Sequence, residues 1–382
     1  TNNLFAIGLN QFLGIKNHRR LVFPKTLSRK PQINIEKPSR CSLDESSGVI
    51  LSKRITTDIS AAARLLTEGR LVAFPTETVY GLGADVLNPS AVRRVYEAKS
   101  RPFGHPLIIH VGNMHLLDEL AQDIPDNARA LVRHFWPGPL TLVLKASDNV
   151  PRIVTGGQDT VAIRFPAHPM AIALLKEFGG GVVGPSANKF GHLSPTKAAD
   201  VDRDFGPEVD LILNGASCAV GIESTIIGFD GEFPIMLRPG MITKRAISAE
   251  ISKEFFEAGA EPPRVPGSLS AHYAPTTRLV VLHADDIRRY LKENSELHDV
   301  ALLTITPLFK KHPNNKMIVA STDPDNYAKN LYESLRELDR VGAKIIIVES
   351  VPLTDAWDGI RDRLESCLLY TAPSPRDVEE SR

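Results

Sequence analysis

The sequence predicts an α/β protein with two domains, and three observations support this fold class. Short apolar strands alternate with amphipathic helices along most of the chain, and the connections between them are short and contain Gly and Pro. A proline-rich segment at residues 257–277 separates two such alternations and is predicted to be a linker. The length of 382 residues allows two or three domains that each bury a core.

The first alternation spans residues 49–256 and predicts the larger domain. Helices are predicted at residues 60–68, at 127–135, at 171–178 and from the cap Asn88 to about residue 98. Strands are predicted at residues 71–74, 107–111, 140–144, 161–165, 181–183, 211–213 and 224–229.

The second alternation spans residues 278–366 and predicts a small parallel, Rossmann-like domain, because its strands are apolar throughout. Strands are predicted at residues 279–282, 301–305, 317–320 and 344–348, and helices at 285–292, 327–340 and 356–365. The periodic pattern stops after Cys367, so residues 367–382 are predicted to be an irregular tail that is either native or foreign to the natural chain.

Composition excludes several classes of protein. The three cysteines contain no C-x-x-C pair, which excludes a disulfide framework or zinc spacing and favours a reducing compartment. No apolar run approaches about 20 residues, so no membrane contact is expected. The H-E-x-x-H, Walker A and EF-hand motifs are absent, and no protein-held metal is predicted.

The net charge of zero is a cancellation between two parts of the chain. Residues 1–48 hold eight Lys and Arg against three acidic residues, so the rest of the chain is mildly acidic. A basic, acid-poor leader is typical of a transit peptide, and the alternative is a disordered tail of a cytosolic protein. The predicted location is therefore either the cytoplasm or a mitochondrion or plastid.

Several candidate functional residues lie at strand and helix ends. Thr76 and Thr78 follow a strand and precede a predicted Tyr80-Gly81 turn, which suggests either a ligand loop or threonines chosen for strand propensity. Lys99 and Arg101 end a helix, where cations either complement the helix dipole or bind a polyphosphate.

Other candidates lie within or beside strands. Arg164 is among apolar strand residues and needs either a structural ion-pair partner or an anionic ligand. His110 ends a strand, where a lone histidine is more often structural than catalytic. Ser186 and Asn188 share one face if their strand continues, and Thr196 and Ser224 add hydroxyls at turns, although local capping explains each of these residues singly.

Taken in order, these blocks resemble the YrdC-like threonylcarbamoyl-AMP synthases. The matching segments are FPTETVYGLGADV, KSRP with PLIIHV, WPGPLTLVL, TVAIRFP, GPSAN with SPT, GIESTII and LRPG. The linker sequence PGSLSAHYAP resembles the hallmark of the long, two-domain form, so the resemblance covers about residues 50–365. One departure is His105, which stands where the family commonly has Asn.

The resemblance implies both a fold and an activity. The fold is a YrdC-like twisted mixed sheet with a concave active-site cleft, followed by a C-terminal Rossmann-like domain. The activity is that of a nucleotidyltransferase, which joins L-threonine, bicarbonate and ATP into threonylcarbamoyl-AMP and releases pyrophosphate. The product passes to a tRNA threonylcarbamoyl transferase for tRNA modification, and Mg²⁺ is expected with the ATP.

The resemblance also implies residue roles. Lys99 and Arg101 are the expected catalytic residues. The expected threonine contacts are Thr78, His110, Arg164 and Ser224. The expected ATP contacts are Lys99, Arg101, His105, Thr160, Ser186, Asn188, Thr196, Arg238 and Tyr273, the last as a lid on the linker.

The alternative hypothesis is a tRNA- or double-stranded-RNA-binding module without threonine chemistry, because YrdC-like folds present a concave basic surface. The absence of a basic excess in residues 49–366 argues against RNA binding as the whole function. An RNA contact in addition to the enzymatic activity remains an expectation.

Overall fold

The computed structural model describes residues 53–251, 255, 263–266, 273–293, 299–307 and 316–371. The predicted leader, most of the predicted linker and the chain beyond residue 371 lie outside these residues.

The first domain is built on one mixed sheet of 11 strands. The strands are β1 (Ile55–Thr56), β2 (Val72–Phe74), β3 (Gly81–Asp85), β4 (Ile108–His110), β5 (Ala121–Gln122), β6 (Leu140–Ala146), β7 (Thr160–Arg164), β8 (Val182–Val183), β9 (Leu211–Leu213), β10 (Thr225–Asp230) and β11 (Phe233–Arg238). Their order is β1-β9-β2-β3-β8-β4-β7-β6-β10-β11, with β5 paired to β6. Because β7 is parallel to β4 and antiparallel to β6, the mixed sheet expected from the sequence is confirmed.

Helices pack against this sheet and bury its apolar side chains. They are α1 (Ile59–Thr67), α2 (Pro89–Lys99), α3 (His115–Leu120), α4 (Asp126–Phe135), α5 (Arg152–Thr155), α6 (Pro169–Phe178), α7 (Ala198–Phe205) and α8 (Lys244–Ile251). Asn88 caps α2 as predicted, since its side-chain oxygen accepts the backbone N–H groups of Ser90 and Ala91 at 3.1 Å each.

The C-terminal domain is a parallel sheet of four strands in the order β12-β15-β13-β14. Its elements are β12 (Leu279–Leu282), α9 (Ala284–Glu293), β13 (Val300–Thr304), β14 (Lys316–Val319), α10 (Pro324–Asp339), β15 (Ile345–Glu349) and α11 (Asp358–Thr371). Helix α11 continues beyond the predicted end of regular structure, because Leu364 and Cys367 both face the core at helical spacing.

One prediction about the cleft loops is wrong, because Gly81 begins β3 and does not form a turn. Strand β8 ends at Val183, the predicted end, so Ser186 and Asn188 do not lie on a continued strand. Strand β3 needs glycine because β2 approaches it closely: a Cβ on Gly83 would lie 2.8 Å from the Val72 carbonyl oxygen. Strand propensity therefore gave no signal for this element.

Candidate active site

A cleft lies where the ends of several strands meet the linker. It is lined by Thr76, Thr78, Val79, Gly81, Arg101, Ile108, His110, Arg164, Gly184, Pro185, Ser186, Glu223, Ser224, Arg238, Pro266 and Tyr273. The structure thus brings together nine of the candidate residues, which come from distant parts of the sequence.

The Thr76–Thr78 segment makes the loop between β2 and β3. The Thr76 hydroxyl donates to the Val79 carbonyl oxygen at 2.6 Å and accepts the backbone N–H groups of Thr78 and Val79 at 3.2 Å each. The Thr78 hydroxyl lies 2.8 Å from the Thr76 hydroxyl and accepts Arg164 Nη1 at 2.8 Å. Because Thr76 already donates to Val79, Thr78 donates to Thr76, and this chain fixes the Thr78 side chain in the cleft.

Arg164 ends β7 and is buried in the cleft wall. Its Nε donates to the Gly138 carbonyl oxygen at 3.2 Å, and its Nη2 lies 2.6 Å from Glu77 Oε1. The ion pair that the sequence left as one alternative is therefore present. Nη2 carries two N–H groups and contacts a single oxygen of Glu77, so the guanidinium keeps donor capacity next to the cleft.

His110 ends β4 and pairs in register with Arg164 on β7. Its imidazole is buried, and Nδ1 makes no hydrogen bond. Burial, together with the nearby Arg164 charge, holds the pKa of His110 well below its usual value. A neutral imidazole whose Nδ1 has no hydrogen-bond partner therefore lies in the wall at this end of the cleft.

Arg238 ends β11 and joins the cleft wall to the linker. Its Nη2 donates to the Ser224 carbonyl oxygen at 2.8 Å, and its Nη1 donates to the Pro266 carbonyl oxygen at 2.8 Å. The Tyr273 hydroxyl lies 3.3 Å from the same Nη1. The described linker residues are thus bound against the cleft. The Ser224 hydroxyl pairs with Thr141 Oγ1 at 2.7 Å.

Lys99 and Arg101 occupy different environments. Arg101 lines the cleft, where its Nη2 donates to the Pro106 carbonyl oxygen at 2.9 Å and its Nε has no hydrogen bond. Burial lowers the pKa of Arg101 to about 10. Lys99 does not line the cleft, because its Nζ donates to the carbonyl oxygens of Ser186 and Asn188 at 2.5 Å each. In this structure the Lys99 ammonium therefore fixes the Ser186–Asn188 segment, which lies beside the cleft.

Four other candidate residues lie outside the cleft lining. Thr160 is at the opposite end of β7 from Arg164, about 13 Å away at strand spacing. His105 packs its ring 6.0 Å from that of Phe190. The Asn188 amide donates to the Lys189 and His192 carbonyl oxygens, and the buried Thr196 accepts Cys218 N–H at its own carbonyl.

Two buried acids and one buried arginine near the cleft are not among the residues predicted from the sequence. Glu77 and Glu223 each lie between or beside hydroxyl residues in the TET and EST triplets, which was an available signal. Arg363 on α11 contacts Glu223 and gave no signal, because nothing local distinguishes it from an exposed helix arginine.

Within the described residues, no cluster of three His, Cys, Asp or Glu side chains could hold a metal ion. The two acids of the cleft region are each engaged by an arginine. No helix in the described ranges has both the length and the apolar character to cross a bilayer.

The fold and the cleft define a class: an α/β enzyme whose concave, arginine-lined cleft binds small anionic substrates. The family model of Sua5, YciO and YrdC, described as telomere recombination, matches residues 64–240. A second model, described as the threonylcarbamoyl-AMP synthase C-terminal domain, matches residues 242–366.

Curated relatives agree with both models. The chain is 38% identical to threonylcarbamoyl-AMP synthase of Pyrococcus abyssi, over 82% of this chain and 94% of the relative. It is 39% identical to that of Bacillus subtilis, over 80% of this chain and 91% of the relative. A crystal structure of P. abyssi Sua5 complexed with L-threonine has a TM-score of 0.76 and 37% identity, and covers 82% of this chain and 94% of that one.

The chain belongs to the threonylcarbamoyl-AMP synthase family, in its two-domain form. The family and the fold predicted from the sequence are confirmed.

Proposed function

We propose that this cleft makes threonylcarbamoyl-AMP and pyrophosphate from L-threonine, bicarbonate and ATP. The observation that carries the proposal is the convergence of three buried guanidinium groups, those of Arg101, Arg164 and Arg238, on one cleft. Within the described part of the chain, Arg101 and Arg238 form no ion pair with a carboxylate and donate only to carbonyl or hydroxyl oxygens. Buried cations without a counter-charge are costly unless an anionic ligand balances them.

The substrates supply matching anionic groups. The threonine carboxylate fits the end of the cleft at Arg164, where Thr78 orients the guanidinium and the neutral His110 offers Nδ1 to a polar group of the amino acid. The nucleotide phosphates fit the region of Arg101 and Arg238, with Ser186 beside them. The relative solved with L-threonine supports this class of ligand.

The reaction has two steps. The threonine amine attacks the carbon of bicarbonate, and loss of water gives a carbamate. A carbamate oxygen then attacks the α-phosphorus of ATP, and the bond to the leaving pyrophosphate breaks. The buried arginines stabilise the negative charge of carbamate and phosphates in a region shielded from water, so that positioning and charge neutralisation supply most of the catalysis.

Neither acid of the cleft region is suited to act as a general base, because each is already bound by an arginine. For the same reason Mg²⁺ is proposed to enter with the ATP phosphates rather than in a protein cage. The contacts to ATP of five residues outside the cleft lining remain proposals that require either an indirect role or a rearrangement of the cleft: those of Lys99, which is also the second proposed catalytic cation, and of His105, Thr160, Asn188 and Thr196.

The wider context of the reaction is also a proposal. The product is proposed to pass to a tRNA threonylcarbamoyl transferase, with tRNA contact as an additional property. The compartment is proposed to be the cytoplasm, or an organelle if residues 1–48 act as a transit peptide. Cell fractionation followed by N-terminal sequencing of the protein would decide between the two compartments. A protein in the organelle fraction without residues 1–48 would indicate a transit peptide, and an intact leader in the soluble fraction would indicate the cytoplasm.

The function is tested by pyrophosphate release from ATP with threonine and bicarbonate supplied together and singly. Release is expected only with both, and tight tRNA binding without release would favour the RNA-binding alternative. Replacing Arg164 with Lys keeps the charge but removes the two-pronged contact, so the threonine KM is expected to rise about tenfold while the ATP KM stays nearly constant.

The matched control is Arg152→Lys, at an exposed arginine that pairs with Asp159 away from the cleft. This variant is expected to keep both KM values. An unchanged threonine KM in Arg164→Lys would contradict the assignment of Arg164 to the threonine carboxylate.

A further inference from the structure

Arg363 is a fully buried side chain of the C-terminal domain that reaches into the wall of the catalytic cleft. Its Nε donates to Glu223 Oε2 at 2.7 Å, and its Nη2 donates to the Glu223 carbonyl oxygen at 3.1 Å. Its Nη1 donates to the Pro239 carbonyl oxygen at 3.0 Å. These acceptors immediately precede Ser224 and immediately follow Arg238, so one guanidinium joins the two strand ends that carry both cleft residues.

Both oxygens of the Glu223 side chain already accept hydrogen bonds from the protein. Ser194 Oγ donates to Oε1 at 2.5 Å, and the Tyr332 hydroxyl of α10 donates to Oε2 at 2.9 Å beside Arg363. Burial alone would raise the pKa of Glu223, but the Arg363 and Arg238 charges outweigh burial and hold the pKa below its usual value. Glu223 is therefore ionised and hydrogen-bonded at both oxygens, which suits an anchor better than a base or a ligand.

Two glycine contacts close the same wall against the C-terminal domain. Gly221 has a φ of +86°, and a Cβ there would lie 2.4 Å from the Ala328 carbonyl oxygen of α10. A Cβ on Gly359 of α11 would lie 2.8 Å from the Gly240 backbone. The backbone of the first domain at Gly221 and Gly240 therefore contacts the backbone of α10 and α11 directly. Because both contacts are close-packed, this wall cannot shift without moving the C-terminal domain.

We propose that Arg363 is a positioning residue through which the C-terminal domain sets the place of Ser224 and Arg238 in the cleft. Arg363 does not line the cleft, and it acts through Glu223 and Pro239. The inference rests on the proposed function, since Ser224 and Arg238 are its assigned substrate contacts. It gives the C-terminal domain a defined part in substrate binding.

The test compares Glu223→Gln with the double variant Glu223→Gln and Arg363→Met. The single variant keeps the Arg363 bonds to the two carbonyl oxygens, whereas the double variant loses them and leaves no charge at position 223. Asp362, the other carboxylate paired with Arg363, is partly exposed and stays in contact with water. Relative to Glu223→Gln, the double variant is expected to raise the threonine KM about tenfold and to change kcat less than threefold. The double variant Glu223→Gln and Arg363→Lys should have a threonine KM between those of the other two variants.

Arg336→Met is the matched control. Arg336 also crosses from α10 to the first domain, where its Nη2 donates to Asp204 Oδ2 at 3.0 Å and to the Leu193 carbonyl oxygen at 2.6 Å, but it does not line the cleft or contact the Ser224 wall. This variant is expected to keep the threonine KM. If the wild type is active and the double variant has the threonine KM of Glu223→Gln, the positioning role is overturned. A wild type without threonine- and bicarbonate-dependent activity instead overturns the proposed function, and this inference with it.

Discussion

The His110 imidazole is buried in the cleft, where burial destabilises its charged form and leaves a neutral ring for hydrogen bonding. The imidazole is buried beside the Arg164 guanidinium, where a charged ring would be both desolvated and repelled. The fold therefore keeps it neutral. A neutral ring at this position accepts or donates a hydrogen bond without competing with the substrate for the arginine charge.

The stability of the protein should depend on this residue between pH 7 and pH 5.5. The pKa of His110 is lower in the folded chain than in the unfolded chain, so the unfolded state binds more protons as the pH falls below about 6.5. The contribution is fully present above that pH and is lost as the pH falls towards the folded pKa. Urea unfolding across this window should show stability falling with pH, and falling less in His110→Gln. An equal slope in the two proteins would show that the His110 ring is not held neutral.

The sequence could predict the chemical types in the cleft but not the contacts of each residue. The sequence is compatible with either an ion-pair partner or an anionic ligand for Arg164. In the structure Glu77 Oε1 lies 2.6 Å from Arg164 Nη2, and the guanidinium keeps donor capacity for a ligand as well. Lys99 looked equivalent to Arg101, but the αL conformation of Ser100 separates their directions. Side-chain direction at a helix end depends on the loop that receives it, and the sequence around Lys99 does not specify that loop.

At the scale of elements, the predictions depended on how much local signal each element carries. Helix α2 was predicted within one residue because Asn88 and Pro89 mark its start and apolar residues repeat at helical spacing. Strand β3 was missed because its glycines are required by the close approach of β2 and carry no strand propensity. A strand or helix whose residues are chosen to fit neighbours distant in the sequence cannot be predicted from its own residues alone.

Helix α2 offers a test of the cap that made it predictable. In Asn88→Ala, the backbone N–H groups of Ser90 and Ala91 lose their side-chain acceptor, which should cost about 1 kcal/mol of unfolding free energy. A fall in Tm of roughly 2–4 °C is expected for a domain of this size, measured by scanning calorimetry. Asn88→Asp keeps an acceptor and should lose less. Equal losses in both variants would show that the hydrogen bonds accepted by the side chain of residue 88 do not account for the effect.

At the scale of the whole molecule, the two domains share a core. One cluster of buried apolar residues contains Val79 and Ile222 of the first domain together with Tyr332 and Trp357 of the second. Ion pairs between the domains, such as that of Arg336 with Asp204, surround this cluster. The proline-rich linker indicated two separate domains, and the shared core was not predictable because each helix shows only that it has an apolar face.

A shared core predicts that the two domains unfold together. The chain has two tryptophans, and Trp136 is buried in the first domain whereas Trp357 is buried in the second. Each of Trp136→Phe and Trp357→Phe therefore reports on one domain by fluorescence, while circular dichroism reports on both. Within each variant, the urea midpoints of the fluorescence and circular dichroism signals should coincide. Unfolding of either domain would expose the shared apolar cluster and break the buried Arg363–Glu223 ion pair that joins the domains. If the Trp357 fluorescence of Trp136→Phe changed at a lower urea concentration than circular dichroism, the C-terminal domain would unfold alone. The cleft wall at Ser224 would then keep its structure without contacts from that domain.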